Sequence, residues 1–399
     1  MIKYKINTMP KSEDKFISLM AENEIEKVYN YHKSFPDYKE TPLVKLENMA
    51  ECLGVGAIYI KDESYRFGLN AFKVLGSSYA AARFIGERLN KDITELPFNV
   101  LVSDEIKNAL GDITFYTATD GNHGRGVAWT ARCLKQKAVV YMPKGTTQTR
   151  LNNILAEGAE AEIKEYNYDE CVRQISKVAE KSDNGVMIQD TAWEGYEKIP
   201  SWIMQGYGTM AKEADMQVKL ADGTVPTHIF IQAGVGSLAG AIQGYFANMY
   251  PENPPKVVVV ESEAAACLYE SAKANDGSIR TVGGDMKTIM AGLACGEPCT
   301  ISWDILRNHV AAFLTVDDET TAIGMRMLAS PLKGDMPVTS GESGAAAFSA
   351  FQEIMLCDYY SKLRNKLGID KTSRILFFST EGDTDPKRYK SIVWNGNNN

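Results

Sequence analysis

The feature that most constrains the fold of this chain is a repeated alternation of short apolar runs with helical patterns. Each run has the length and the content of branched and aromatic residues that are typical of strands. The runs lie at residues 57–60, 114–118, 138–142, 161–163, 186–189, 228–232, 257–260, 313–316 and 374–378. Such alternation predicts crossover units, in which a helix connects two parallel strands. We therefore expect an α/β protein with mostly parallel sheets flanked by helices.

The runs fall into two series, one between residues 85 and 205 and one after it, which predicts two lobes. We expect residues 1–84 and 206–399 to form a large lobe and residues 85–205 a smaller, mobile α/β lobe. A chain of 399 residues is long enough for both. Ligands of such folds bind in the cleft at the carboxyl ends of the strands. The polar end of the chain, residues 395–399, is expected to fray.

Composition argues against several classes of protein. The chain is 44% hydrophobic and 24% charged, which is ordinary for a soluble enzyme. A net charge of -8 argues against nucleic acid as the main partner. No stretch reaches the roughly 18 apolar residues that span a bilayer, and residues 1–7 lack the apolar core of a signal peptide. We therefore expect a cytoplasmic protein that does not bind membranes.

Cysteine and histidine are scattered rather than grouped. The seven cysteines have no regular spacing, and only Cys295 and Cys299 lie close together. Their spacing is one residue longer than that of the usual redox pair, so structural thiols are expected. No two of the four histidines are close in sequence. The sequence therefore predicts no metal site.

Lys73 stands where a loop enters a helix. The stretch Asn70-Ala71-Phe72-Lys73 precedes a run of small residues, 76–82, with a helical pattern. A lysine with the ordinary pKa of about 10.4 is a poor nucleophile at neutral pH. Burial, or capture as an imine, would remove that obstacle. A lone lysine at a helix start more often extends its amine to solvent, so further motifs must decide.

The first of these motifs, Thr119-Asp120-Gly121-Asn122-His123-Gly124-Arg125-Gly126, follows the strand 114–118 and opens a helix. Unpaired backbone N–H groups at such a helix start bind an anion, and a carboxylate fits as well as a phosphate. Asp120 adds a negative charge that a simple anion site would not favour. Its carboxylate either caps the helix or transfers a proton, and spacing alone leaves both open.

A second glycine loop, Gly234-Val235-Gly236-Ser237-Leu238-Ala239-Gly240, lies between the strand 228–232 and a helix that runs through Tyr245. Glycines allow a phosphate to approach the backbone closely, and the helix start supplies positive potential. The loop also resembles a dinucleotide fingerprint, and Glu261 stands where a ribose-binding acid would be expected. A nicotinamide-dependent dehydrogenase is therefore one open alternative.

Two hydroxyl groups, Ser379 and Thr380, follow the last predicted strand and would face the same cleft, unless they only form a turn. Lys73, an anion-binding loop and a separate phosphate-binding loop together fit pyridoxal phosphate (PLP). This cofactor forms an imine with a lysine, needs a phosphate site and holds amino acids whose carboxylate must be bound. A nicotinamide enzyme would leave Lys73 and the loop 119–126 without a shared purpose.

Several motifs resemble those of the fold type II, or tryptophan-synthase-β type, PLP enzymes across residues 40–385. They are Thr41-Pro42-Leu43, Lys61-Asp62-Glu63, Asn70-Ala71-Phe72-Lys73, Gly121-Asn122-His123-Gly124, the loop 234–240 and Gly341-Glu342-Ser343-Gly344-Ala345. More narrowly, residues 120–129 and 189–196 resemble the diaminopropionate ammonia-lyases. Threonine and serine dehydratases of this fold usually carry a small residue at the position of Asp120. The stretches around Asp120 and Asp190 are therefore the most specific part of the resemblance.

The resemblance implies a two-lobed fold with the cofactor in the cleft, and a role for each matching residue. Lys73 would bind PLP covalently, and Asn122 would contact the 3-hydroxyl oxygen of the cofactor. The phosphate would lie in a loop of Gly234, Val235, Gly236, Ser237 and Leu238. Either Ser379 or Thr380 would meet the pyridine nitrogen, and the resemblance does not distinguish them.

The implied reaction is α,β-elimination of D- and L-2,3-diaminopropionate to pyruvate and two ammonia molecules. The substrate would contact Thr119, Asp120, Gly121 and Asp190. Carboxylates at Asp120 and Asp190 suit an amine substrate because they bind the β-ammonium group and exchange protons with it. Lys73 would be the base for the L enantiomer and Asp120 for the D enantiomer.

Two alternatives remain open. In a turn of this kind, an aspartate such as Asp190 is commonly a structural residue. If both aspartates are structural, the nearest rival is a serine or threonine dehydratase of the same fold. The resemblance also implies a homodimer.

Overall fold

The computed structural model describes residues 1–397, so the last two residues of the stretch expected to fray lie outside it. Two sheets contain the strands. The strands are β1 (Tyr4–Ile6), β2 (Leu43–Lys45), β3 (Ala57–Asp62), β4 (Thr114–Ala118), β5 (Lys137–Met142), β6 (Glu160–Ile163), β7 (Gly185–Met187), β8 (His228–Gln232), β9 (Lys256–Ser262), β10 (Ala312–Val316) and β11 (Arg374–Ser379).

The larger sheet has seven strands among the described residues, in the order β1-β10-β9-β8-β11-β3-β2. The five inner strands are parallel, whereas β1 and β2 pair antiparallel at the two edges. The smaller sheet, β6-β5-β4-β7, is entirely parallel. The predicted α/β class with mostly parallel sheets is confirmed.

Helices cover the faces of both sheets. They are α1 (Glu22–Lys33), α2 (Glu47–Leu53), α3 (Val74–Leu89), α4 (Phe98–Leu101), α5 (Asp104–Leu110), α6 (Asn122–Cys133), α7 (Gln148–Leu155), α8 (Tyr168–Glu180), α9 (Lys198–Asp222), α10 (Ser237–Met249), α11 (Cys267–Ala274), α12 (Thr300–His309), α13 (Asp318–Ala329), α14 (Glu342–Leu356), α15 (Ser361–Leu367) and α16 (Pro386–Val393). Within the described part of the chain, no helix is long and apolar enough to cross a membrane.

Strand β9 shows why the apolar runs are uninterrupted. Val257 and Val259 pack into one hydrophobic core, and Val258 and Val260 pack into a second core on the opposite face of the sheet. Successive side chains of a strand point to opposite faces. A parallel strand that is covered by helices on both sides therefore needs apolar residues at every position.

Helices α3 and α9 pack with their backbones in contact. A Cβ atom added to Gly206 would lie 2.4 Å from the carbonyl oxygen of Leu75 and 2.7 Å from the Cα of Gly76. Real Cβ atoms do not approach other atoms so closely, so a glycine is required at residue 206. The contact fixes the position of the first turn of α3, which follows Lys73.

The smaller sheet uses only strands between Thr114 and Met187, while strands from both ends of the chain form the larger one. The predicted boundaries after residues 84 and 205 fall inside α3 and α9. These two helices therefore connect the sheets, and the division into a large lobe and a mobile small lobe stays a prediction.

Candidate active site

A cavity lies between the two sheets, at the carboxyl ends of β4, β8 and β11. Its lining contains every substrate and cofactor residue predicted from the sequence except Gly121 and Ser379. The lining residues are Phe72, Lys73, Thr119, Asp120, Asn122, His123, Tyr168, Asp190, Gln232, Ala233, Gly234, Val235, Gly236, Ser237, Leu238, Gly292, Leu293, Cys295, Ser343, Thr380 and Glu381. Ligands of parallel sheets bind at this edge, so the cavity is the candidate active site.

Lys73 occupies the N-cap position of α3. The loop before it pairs with the residues that follow β11, because Phe72 N–H donates to the carbonyl of Thr380 at 3.1 Å and Gly382 N–H donates to that of Asn70 at 3.0 Å. The Lys73 amine donates a hydrogen bond to the carboxylate of Asp190. This backbone pairing therefore delivers the amine to the cavity.

Asp190 decides the charge of Lys73. Burial opposes a charge on the amine, but the carboxylate of Asp190 outweighs burial and raises the pKa of Lys73 above its ordinary range. Burial and capture as an imine were the two ways expected to make the amine reactive. Burial does not do so here, because the pKa of the amine is raised instead of lowered. The lysine is a paired ammonium group until it is captured chemically.

The carboxylate of Asp190 has two further neighbours. Tyr168 donates its hydroxyl hydrogen at 3.2 Å, and His123 Nδ1 lies 3.8 Å away. Burial would raise the pKa of Asp190, but the groups around it hold that pKa below the usual range. Burial also lowers the pKa of His123. His123 and Lys73 both hold the pKa of Asp190 down, and Lys73 is the one that donates a hydrogen bond to its carboxylate. The structural interpretation of Asp190 as a turn-capping acid is wrong.

Asp120 has a different partner. Its carboxylate accepts a hydrogen bond from Arg150 at 3.0 Å. The residue at the N-cap of α6 is Gly121, and the hydroxyl of Thr119 accepts from the N–H groups of Gly121 and Gly124 at 2.9 and 3.0 Å. Thr119 therefore performs the capping that the sequence had left open for Asp120, and the carboxylate of Asp120 faces the cavity.

The second glycine loop leads from β8 into α10, and its residues Gly234 to Leu238 line the cavity. Gly236 has a φ of 103°, and a Cβ atom there would lie 2.8 Å from the hydroxyl of Ser302. The first N–H groups of a helix have no partner within it. The loop therefore presents unpaired donors to the cavity at a point where only glycine fits.

Thr380 lines the cavity, and its hydroxyl accepts a hydrogen bond from Gln232 at 2.8 Å. Ser379 is directed elsewhere, because its hydroxyl donates to that of Ser340 at 2.8 Å. The side-chain amide of Asn122 donates to the carboxylate of Glu381. Of the two hydroxyls that the sequence could not separate, Thr380 is the one at the cavity.

Glu261 removes the basis for a dinucleotide site. Its carboxylate is fully buried and accepts hydrogen bonds from the backbone N–H groups of Leu268 at 2.8 Å and Tyr269 at 2.6 Å. Burial raises the pKa of Glu261 to about 8. The alternative of a nicotinamide-dependent dehydrogenase is wrong, because the acid that would bind a ribose serves the protein backbone instead.

The cysteines, all within the described residues, are free thiols. Cys295 lines the cavity, and burial raises the pKa of its thiol well above the ordinary value. A protonated thiol is a weak nucleophile. The cysteines therefore add no nucleophile to the site at neutral pH.

The sequence pointed to the cavity but missed part of its lining. Tyr168 and Gln232 were not predicted, whereas the acids of the stretch 378–383, which include Glu381, were expected to face the cleft. Gln232 ends a predicted strand, so the rule that sites form at strand ends could have found it. Tyr168 begins α8, and nothing in the sequence links it to Asp190.

The residues of the cavity fit PLP. They provide a lysine amine, a glycine loop at a helix start for a phosphate, a hydroxyl from Thr380 and an amide from Asn122, all on one cavity. The decisive observation is Gly236, where any side chain would close the loop against Ser302. Such a cradle admits a phosphate group.

Comparison with known proteins agrees with this fit. The sequence model of the pyridoxal-phosphate dependent enzymes matches residues 35–380. Diaminopropionate ammonia-lyase of Salmonella typhimurium strain LT2 is 49% identical over 99% of this chain and 98% of its own length. The enzyme of that name from Escherichia coli strain K12 is 45% identical over 95% of this chain and 93% of its own length.

A solved structure is similar in three dimensions as well. Diaminopropionate ammonia lyase from Escherichia coli, in complex with D-serine, superimposes with a TM-score of 0.91 at 42% identity. The match covers 100% of this chain and 98% of that one. The similarity therefore extends over both sheets and the cavity between them.

Proposed function

The chain belongs to the pyridoxal-phosphate dependent enzyme family and has the two-lobed fold type II architecture, and we propose that it is an ammonia-lyase acting on 2,3-diaminopropionate. The reaction consumes one water and yields pyruvate and two ammonia molecules. The observation that carries this proposal is the presence of two carboxylates, Asp120 and Asp190, in the cavity that contains Lys73. Full-length identity of 49% to a diaminopropionate ammonia-lyase supports it.

Residues of the cavity would hold the cofactor at three points. Lys73 would attach it, Gly234–Leu238 would bind its phosphate, and Asn122 and Thr380 would contact the ring substituents and ring nitrogen. When bound, PLP supplies a covalent link to the amino acid and withdraws electrons from its Cα–H bond. Thr380 suits elimination because a neutral hydroxyl does not force the ring nitrogen to stay protonated.

Lys73 and Asp120 would remove the proton from Cα of the substrate. Once its nitrogen is free, Lys73 removes the Cα proton of the L enantiomer. Asp120 removes that of the D enantiomer, in which the proton points the other way. A carboxylate that faces the cavity and is held by Arg150 supports this assignment.

Departure of the β-amino group needs a proton, because an amide anion is not a leaving group and ammonia is. Asp120 and Asp190 bind the β-ammonium form of the substrate and keep it protonated. A β-hydroxyl substrate offers no positive charge to these carboxylates. The site therefore favours a diamino acid over serine or threonine.

The test is pyruvate release by the purified holoenzyme from D- and L-2,3-diaminopropionate, with serine and threonine assayed in parallel. For threonine, 2-oxobutyrate is measured. We expect fast release from the diamino acid and little from the hydroxy acids. Turnover of serine or threonine alone would overturn the substrate assignment and make the chain a dehydratase.

Three further proposals concern the assembly, the cellular location and the motion of the enzyme. We propose a homodimer, which the resemblance to the fold type II enzymes implies, and light scattering of the purified protein measures its mass. Free thiols at all seven described cysteines fit the reducing cytoplasm.

We also propose that the lobe of residues 85–205 moves toward the larger one on substrate binding, which small-angle scattering with and without substrate can detect.

A further inference from the structure

Arg150 is a buried cation directly behind the active site. It lies on α7, its side chain is 4% exposed, and its Nη1 donates to Asp120 Oδ2 at 3.0 Å. The same nitrogen also lies 3.4 Å from the backbone oxygen of Asp120. Arg150 lines a second cavity, of about 530 Å³, which shares Asp120 and Tyr168 with the active-site cavity. The carboxylate of Asp120 therefore stands between the substrate cavity and this guanidinium.

Four carboxylates act on the charge of Arg150, namely those of Glu381, Asp120, Glu342 and Asp385. Glu342 Oε2 lies 3.9 Å from Nη2, beyond hydrogen-bonding distance. Burial, opposed by Arg150 and reinforced by the negative charge of Glu381, raises the pKa of Glu342 to about 7. Glu381 makes the largest contribution of charge at Arg150, ahead of Asp120. The carboxylate that accepts a hydrogen bond from the guanidinium is nevertheless that of Asp120.

Hydrogen bonds anchor α7, the helix that carries Arg150. Thr147, the N-cap of α7, donates its hydroxyl to Asp385 at 2.7 Å, and the side chain of Asn153 donates to the carbonyl of Thr384 at 3.1 Å. These bonds join α7 to the segment that follows β11. A Cβ atom on Gly121 would lie 3.3 Å from Arg150 Cδ, so the arginine stem packs against the loop that carries Asp120.

We propose that Arg150 is a positioning residue that holds the Asp120 carboxylate in the orientation needed for the D enantiomer. The inference rests on the proposed function, in which Asp120 is the base for D-2,3-diaminopropionate and Lys73 is the base for the L form. Arg150 does not line the cavity that contains Lys73. Its loss therefore disturbs one of the two proton transfers more than the other.

The test compares Arg150→Gln, Arg150→Lys and Arg150→Ala holoenzymes with wild type on both enantiomers. We expect Arg150→Gln to lower kcat for the D enantiomer by about tenfold to a hundredfold, as misplacement of a catalytic group does, and kcat for the L enantiomer much less. Arg150→Lys should recover part of the D activity because a lysine keeps the charge but lacks the fork of the guanidinium. Free guanidinium ion, far below denaturing concentrations, should restore D turnover of Arg150→Ala more than L turnover.

The control is Arg132→Gln. Arg132 belongs to the same lobe and pairs with Glu157 at 2.8 Å, but its side chain is 54% exposed and has no role assigned to it in the site. This variant should keep the D to L ratio of wild type. Equal losses on both enantiomers in the folded Arg150 variants, or no loss on either, would overturn the inference. Failure of wild type to convert either enantiomer would instead refute the proposed function.

Discussion

Asp120 and Asp190 face one cavity, yet their surroundings differ. Asp190 is paired with Lys73, a group that takes part in the chemistry. Asp120 is paired with Arg150, which lies outside the substrate cavity and stays charged. The partner of the first carboxylate would therefore change its bonding during the reaction, whereas the second keeps its partner throughout.

The difference indicates how one site handles two mirror-image substrates. A carboxylate beside a group that changes its bonding can adjust the charge of that group and can bind the substrate ammonium. A carboxylate with a permanent partner has a fixed direction, which is what a base on one face of the substrate needs. Charge alone does not distinguish the two aspartates, but the permanence of the neighbouring cation does.

The largest effect should come from removing the lysine. In Lys73→Ala, both enantiomers should lose all measurable pyruvate release, because covalent attachment of the cofactor and the L-face base disappear together. The measurement is turnover on each enantiomer with PLP in excess. Retained D turnover would show that the Asp120 side works without Lys73 and would break the link between the two sides.

Asp120→Asn should separate the two faces. Amide replacement removes a base but keeps the shape, and we expect kcat for the D enantiomer to fall by about a hundredfold or more. The L reaction should fall far less, since Lys73 is its base. A comparison of kcat values for the two enantiomers checks this, and equal losses would contradict the two-face assignment.

Asp190→Asn should act on both enantiomers, because it removes the partner of Lys73 and one of the two ammonium ligands. With burial unchanged and the opposing carboxylate gone, the pKa of Lys73 should fall. In cofactor-free protein the neutral amine should then react about tenfold faster with an amine-directed reagent for each unit by which the pKa falls. Mass spectrometry of the labelled Lys73 peptide measures the rate, and an unchanged rate would show that Asp190 does not control the charge.

Glu261→Gln is a control with the smallest expected effect on turnover, since Glu261 is a buried acid with backbone partners instead of a cation. Burial raises the pKa of Glu261 from 4.5 to about 8. Between these values the folded state binds more protons than the unfolded state, so this carboxyl makes the free energy of unfolding fall as pH rises. The variant should lose that dependence while keeping wild-type kcat. Denaturant titrations near pH 5 and near pH 8 test it.

Sequence reasoning found the central strands because they are buried on both faces. Strands β4 and β8 begin and end where the pattern predicts. The edge strands β1 and β2 have three residues each, too few for a period to show. Helix α9 was also missed, because Pro200, Gly206 and Gly208 interrupt its pattern. Proline fits its first turn, and the close contact with α3 requires Gly206.

The content of the site was more predictable than its pairing. Lys73, Asp120 and Asp190 could be selected because reactive residues beside glycine loops have a recognisable setting. Their partners could not, because Lys73 and Asp190 are 117 residues apart and Arg150 is 30 residues from Asp120. Such pairs form only when the chain has folded. The periodic pattern of apolar residues in the sequence carries no information about contacts between residues so far apart.

The backbone contact between α3 and α9 restricts how an enzyme of this design can diverge. A methyl group at Gly206 would push the first turn of α3 and move Lys73 with it. Lineages that change substrate are therefore free to vary the loops around Asp120 and Asp190 but not this glycine. In a library of random variants selected for a new amino-acid substrate, residue 206 should remain glycine in the survivors, although it touches neither substrate nor cofactor.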